Sequence, residues 1–95
     1  MIRHVLLFKF LPDTQAEAAE FLRRLDALKD VIDEIHHQEI YQNINFHRNY
    51  DTVCVIDFLN QEDYQKYCDD ERHKQVARYS KPYLEDLACV DYEVL

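Results

Sequence analysis

The chain opens on an alternating segment. In IRHVLLFKF, residues 2–10, a period of two puts Ile2, His4, Leu6, Phe8 and Phe10 on one face, with Val5 and Leu7 on the other. That is the pattern of a strand, here rich in β-branched and aromatic residues. Leu11-Pro12-Asp13-Thr14 stops the strand, and Thr14 with Glu17 has the spacing of a capping box. Apolar positions then recur at Phe21, Leu25, Leu28, Ile32 and Ile35, which predicts an amphipathic helix over about 14–34, with Glu17, Glu20, Arg23, Arg24 and Lys29 mostly towards water.

From His36 to Phe46 the period returns to two, with Ile40, Ile44 and Phe46 on one face and Glu39, Tyr41 and Asn43 on the other. NFHRNYD reads as a polar turn, and TVCVIDFL, residues 52–59, as a strand whose continuous apolar run implies burial on both faces. A second helical region starts at Asn60 or Gln61 and carries Tyr64, Tyr67 and Cys68. It is interrupted near Asp69-Asp70 and resumes through Val76, Ala77 and Tyr79 to Lys81-Pro82, with a last turn over 83–87 and a final strand over 89–94. The order β-α-β-β-α-β predicts one α+β domain over residues 1–95, a ferredoxin-like subunit with its helices on one face of a four-stranded antiparallel sheet. The other face, carrying Val5, Leu7, Val53 and Val55, is left uncovered, and its expected partner is a second copy, giving a homodimer through the sheet face.

Composition narrows the classes. At 95 residues and 47% apolar, with seven Tyr and five Phe, the chain can build one core without staples. A formal charge of -8 disfavours a sequence-independent grip on nucleic acid and attraction to an anionic membrane, so neither is expected as a partner. The apolar run Val5 to Phe8 is cut by Lys9 and followed by no small-residue cleavage site, and a cytoplasmic location is the expectation. Cys54, Cys68 and Cys89 are odd in number and scattered, which reads as buried thiols rather than a disulfide framework or zinc knuckle. The absence of glycine removes any glycine-rich phosphate loop, and His36, His37, Glu39 and His47 lack metal-ligand spacing. No metal and no cofactor is expected.

One short stretch, YCDDERH at 67–73, raises a geometric question. On a continuous helix, residues six apart end roughly 120° apart around the axis, so Tyr67 and His73 could not share a site. A break at Asp69-Asp70 would redirect His73 towards the surface that Tyr67 faces.

With these segments in hand, the chain resembles the stress-responsive dimeric α/β-barrel (Dabb) family over nearly its whole length. The residues that carry the likeness are the opening IRHVLLFKF, the central NYDTVCVIDFLNQEDYQKY, the histidine at 73 and the ending VDYEV. The resemblance implies two ferredoxin-like subunits packed sheet to sheet as a barrel. It extends distantly to the olivetolic acid cyclases of plants, which close a linear polyketide by intramolecular aldol condensation. Matched position by position, it implies catalytic roles for Tyr67, His73 and His4, and a ligand pocket between helices and sheet in which Phe8, Leu25, Cys89 and Asp91 take part. Leu25 or a neighbour stands where the cyclases have an aromatic residue, and Glu71-Arg72 where many relatives have a proline.

The chemistry is coherent. A neutral imidazole can remove a proton alpha to a carbonyl, and a phenol can hydrogen-bond the developing enolate oxygen. A helix start at His73 favours the neutral ring, whereas Asp69, Asp70 and Glu71 favour the charged one, so the sequence leaves the direction of its shift open. His4 and Asp91 fall on neighbouring strands, where the aspartate can fix the imidazole or simply satisfy a buried polar group. The leading expectation is binding of a small, partly apolar carbonyl compound, with lyase- or cyclase-type proton transfer. The alternative is a non-catalytic dimer with a structural or protective role, and cofactorless oxygenation stands third, on fold analogy alone.

Overall fold

The computed structural model describes residues 1–95. Strands β1 (Ile2–Phe10), β2 (His37–Gln42), β3 (Thr52–Phe58) and β4 (Leu84–Glu93) form one antiparallel sheet in the order β2-β3-β1-β4. Helices α1 (Gln15–Ala27), α2 (Gln61–Asp69) and α3 (Glu71–Ser80) complete the ferredoxin-like arrangement. The period of two in β1 holds: His4 and Phe8 are buried in the core layer, where Phe21, Leu25, Leu28, Ile32 and Ile35 meet Cys54, Ile56, Phe58 and Tyr67. Each large apolar side chain sealed there contributes on the order of 1.5–3 kcal/mol. No helix is long and apolar enough to cross a membrane.

Departures from the expected elements have local causes. The capping box does not form, because Asp13 takes a left-handed backbone (φ 63°) and the turn points Thr14 Oγ1 at the Leu11 carbonyl, to which it donates at 2.7 Å. Helix α1 ends at Ala27 and tightens into a 3₁₀ turn over Leu28–Asp30 rather than running to 34. Ile32 and Ile35 stay buried because the turns after it keep the same face inward, and Gln38 Nε2 donates to the Leu25 carbonyl at 2.9 Å, a second donor on an acceptor that the cap N–H of Leu28 also reaches.

Strand β2 stops at Gln42, short of the expected Phe46. Asn43 builds the turn itself, donating from Nδ2 to the Tyr50 carbonyl at 2.7 Å and accepting from Asn45 N at 3.0 Å. Ile44, read as sharing a strand face with Ile40, lies beyond the strand and is 89% exposed. The last helical turn expected over 83–87 is instead strand: Pro82 lies in a 3₁₀ turn over Lys81–Tyr83, and β4 begins at Leu84, which pairs with Phe10.

Candidate functional site

Helix α2 starts at Asn60, whose side chain accepts from Asp63 N at 2.8 Å. It ends at Asp69. Asp70 has extended backbone (φ -69°, ψ 127°) and serves as both C-cap of α2 and N-cap of α3, its Oδ1 accepting from Arg72 N at 2.8 Å. The Arg72 guanidinium also grips this carboxylate at 3.0 and 2.7 Å and donates to the Val31 carbonyl at 2.7 Å, fastening the break to the segment after α1. Hydrogen bonding to Arg72 holds the Asp70 carboxyl at about 2.

The break brings the rings of Tyr67 and His73 to 4.2 Å between centroids, tilted by 33°. Tyr67 is wholly buried against Phe58, centroids 5.1 Å apart. Both the Tyr67 hydroxyl and His73 Nδ1 are buried without a hydrogen-bond partner. Burial pushes the His73 imidazole below its ordinary value; the Cys68 carbonyl opposes this and His4 adds to it. That settles the direction left open by the sequence, towards the neutral ring. Burial likewise holds the Tyr67 phenol well above its usual range.

A second polar group adjoins the first. His4 on β1 lies directly opposite Asp91 on β4, and the imidazole Nδ1 is hydrogen-bonded to Asp91 Oδ1. The Tyr64 hydroxyl donates to the other carboxylate oxygen at 2.9 Å. Cys89 Sγ stands 3.5 Å from His4 Nδ1. The His4 ring is 5.5 Å from that of Tyr64 and 6.4 Å from that of Tyr67, which joins the two groups. Burial pushes the Asp91 carboxyl up, but hydrogen bonds from His4 and Tyr64 outweigh it and leave the carboxyl below its ordinary value.

His4, Tyr67, His73, Cys89 and Asp91 thus lie in one neighbourhood, whereas Phe8 and Leu25 are packed in the core and line neither of the two larger clefts. Cys54 is buried, as read from the sequence, and burial raises its thiol to about 12. Cys89 is a correction: it is exposed, because β4 is an edge strand that the helix layer leaves uncovered. Tyr64 was not singled out by sequence reasoning. Its signal was a helical offset of three from Tyr67, which turns it towards the same layer. The larger cleft, about 580 Å³, lies at the far end of β1 between Phe10, Leu22, Ile40 and Phe46. A smaller one of about 190 Å³ opens beside Tyr64 and Asp91, between Ile2, Gln61, Tyr92 and Glu93.

The four-stranded sheet, one-sided helices and broken second helix define a ferredoxin-like subunit of the dimeric-barrel class. A family model described as Stress responsive A/B Barrel Domain matches residues 2–94, and the chain belongs to that family. Among curated proteins none matches. A dimeric ferredoxin-like protein of unknown function from Bacteroides fragilis is 26% identical, with a TM-score of 0.81, over 98% of this chain and 95% of its own. A Dabb family protein from Mesorhizobium loti is also 26% identical, TM-score 0.77, over 99% and 96%. A hydroxynitrile lyase from Passiflora edulis superposes with a TM-score of 0.89 over 99% and 93% at 11% identity, a likeness of fold alone.

Proposed function

We propose that the subunit binds a small, partly apolar carbonyl compound at Tyr67, His73 and His4, with proton-transfer chemistry of the lyase or cyclase type, and that two copies pair through their sheet faces. The observation that carries the ligand reading is the pair of buried, unpartnered polar atoms, Tyr67 Oη and His73 Nδ1, on rings whose centroids lie 4.2 Å apart. Leaving such a group unsatisfied costs about 1–3 kcal/mol, so paired orphans mark a place where a missing polar partner is favoured. A carbonyl oxygen accepts from the phenol. The neutral imidazole takes the proton from the adjacent carbon, and the phenol steadies the enolate oxygen that forms. Asp91 orients His4 beside them. A protein of the same fold is by its name a hydroxynitrile lyase, and at 11% identity it shows only that the fold can carry lyase chemistry.

A second reading has its own observation. Tyr67 has no accessible surface, and neither the cleft at Phe10 nor the one at Tyr64 includes it, which favours a packed, non-catalytic dimer with a structural or protective role. The two separate in one experiment: small aldehydes and ketones are titrated against the protein in D₂O while the His73 ring and exchange at the ligand's α-carbon are followed by NMR. The ligand reading expects His73 shifts and α-exchange. Tyr67→Phe should leave the fold intact and weaken binding by one hydrogen bond, about 0.5–1.5 kcal/mol. His73→Ala should abolish exchange. Unmoved His73 signals and no exchange across the panel leave the protective reading.

A further inference from the structure

We infer that His4, Cys89 and Asp91 form a binding site for a thiophilic divalent cation such as Zn²⁺, assembled across the β1–β4 pairing. Cys89 and Asp91 are two residues apart on β4, so their side chains leave the same face of the strand. His4 faces Asp91 in the register, and Leu6 faces Cys89, so the imidazole sits diagonal to the thiol on that same face. The three donor atoms all lie within 4.8 Å of one another.

Two of the triangle's three edges, those that meet at the thiol, have the size a metal needs. Tetrahedral zinc with N and O ligands at about 2.0 Å and sulfur at about 2.3 Å requires donor separations of about 3.3–3.6 Å. Cys89 Sγ lies 3.5 Å from His4 Nδ1 and 3.7 Å from Asp91 Oδ1. The third edge is closed by the His4–Asp91 hydrogen bond and opens when the cation takes the proton's place. Tyr64 holds Asp91 Oδ2 at 2.9 Å, leaving Oδ1 to the metal, the usual outer support of a ligating carboxylate. Cys89 and Asp91 are exposed while His4 is buried, so a cation has an approach from solvent and a rigid floor to bind against. The fourth position can be water, with the 190 Å³ cleft beside Asp91 as its opening.

A cysteine nucleophile is the competing use of these residues, and the geometry disfavours it. Thiol and carboxylate both address Nδ1, whereas a nucleophile–histidine–acid relay uses opposite ring nitrogens. On loading, the thiol proton leaves to solvent and the imidazole proton moves off Nδ1, so that sulfur, nitrogen and carboxylate oxygen each donate a pair to the cation. Histidines 36, 37 and 47 have no metal spacing along the chain, whereas His4 and Asp91 are 87 residues apart in sequence and one strand apart in space.

The site shares His4 and Asp91 with the ligand reading but does not rest on it, and its test needs no activity. Reduced, chelator-treated protein is titrated with Co²⁺ alone. One equivalent should produce a thiolate-to-cobalt charge-transfer band with the intense visible bands of four-coordinate cobalt, and Zn²⁺ should bleach them. Cys89→Ser, an exposed position, should remove the charge-transfer band, and Asp91→Asn should weaken cobalt binding by at least about tenfold. Cys68→Ser should leave the spectrum unchanged. Absence of the band in the parent protein, or its survival in Cys89→Ser, overturns the proposal.

Discussion

His73 is the residue whose environment makes a measurable demand. Its ring packs tilted against Tyr67, carries a buried and unpartnered Nδ1, and is pushed below the ordinary imidazole value of 6.5, chiefly by burial. In the unfolded chain the ring protonates first as pH falls, so acid favours unfolding. The stability it supports is therefore complete above about 6.5 and is lost as pH drops through the lower folded value. Urea denaturation of the parent and of His73→Asn between about pH 5 and 8 isolates this, because carboxylates common to both proteins cancel. The parent should lose stability relative to the variant below about 6.5; parallel curves would show that folding leaves the ring's proton affinity unchanged. This direction was not legible in the sequence, where a helix start and three neighbouring acids pulled opposite ways. Burial decided it, and burial follows from packing between α2, α3 and the sheet. Cys89 escaped for a kindred reason: periodicity gave its face, but only the strand order told that β4 is an uncovered edge.

At the scale of elements, the break between α2 and α3 is built from a single carboxylate. Asp70 caps α3 through Arg72 N at 2.8 Å, and its grip on the Arg72 guanidinium ties the bend to the Val31 carbonyl. Asp70→Ala should cost about 1 kcal/mol through the lost cap, whereas Asp70→Asn, which keeps an acceptor, should cost less. Chemical denaturation measures both, and loss of the mutual ring-current shifts of Tyr67 and His73 in the alanine variant would report loosening of the bend. Equal stability of the two variants would mean that the cap contributes nothing. The break itself could be read from Asp69-Asp70, since paired acids before a new amphipathic segment are cap chemistry. Strands β1 and β3 were equally legible, their alternation or apolar run being uninterrupted. Boundaries were missed where a side chain took over backbone hydrogen bonding: Asn43 ended β2 early, and Thr14 bonded back to Leu11 instead of forward into α1.

Across the whole molecule, the sheet turns two different faces outward. The helix-side face is covered by the core over β1 and β3, while the other aligns Tyr41, Val53, Leu7 and Ala88 in one row and Glu39, Val55, Val5 and Val90 in the next. Beside them Arg3 and Asp57 form a two-pronged ion pair at 2.8 and 3.1 Å, which removes an unpaired charge from the same face. Tyr41 is 59% exposed and Val90 60%, an apolar surface on strands that otherwise alternate correctly. A face of this kind suits the proposed twofold pairing, in which the same rows meet their own copies. Each apolar side chain that goes from water to a sealed interface is worth on the order of 1.5–3 kcal/mol. Val53→Asp with Val55→Asp would bring two carboxylates from each copy into that contact, beside Glu39 and with Arg3 already holding Asp57. The parent should therefore scatter light as a dimer at micromolar concentration. The double variant should appear as a monomer that keeps its far-ultraviolet circular dichroism, because both positions lie on the side of β3 away from the core. A parent that is monodisperse as a monomer would remove the sheet-to-sheet pairing, and a variant that remains dimeric would move the contact to another surface.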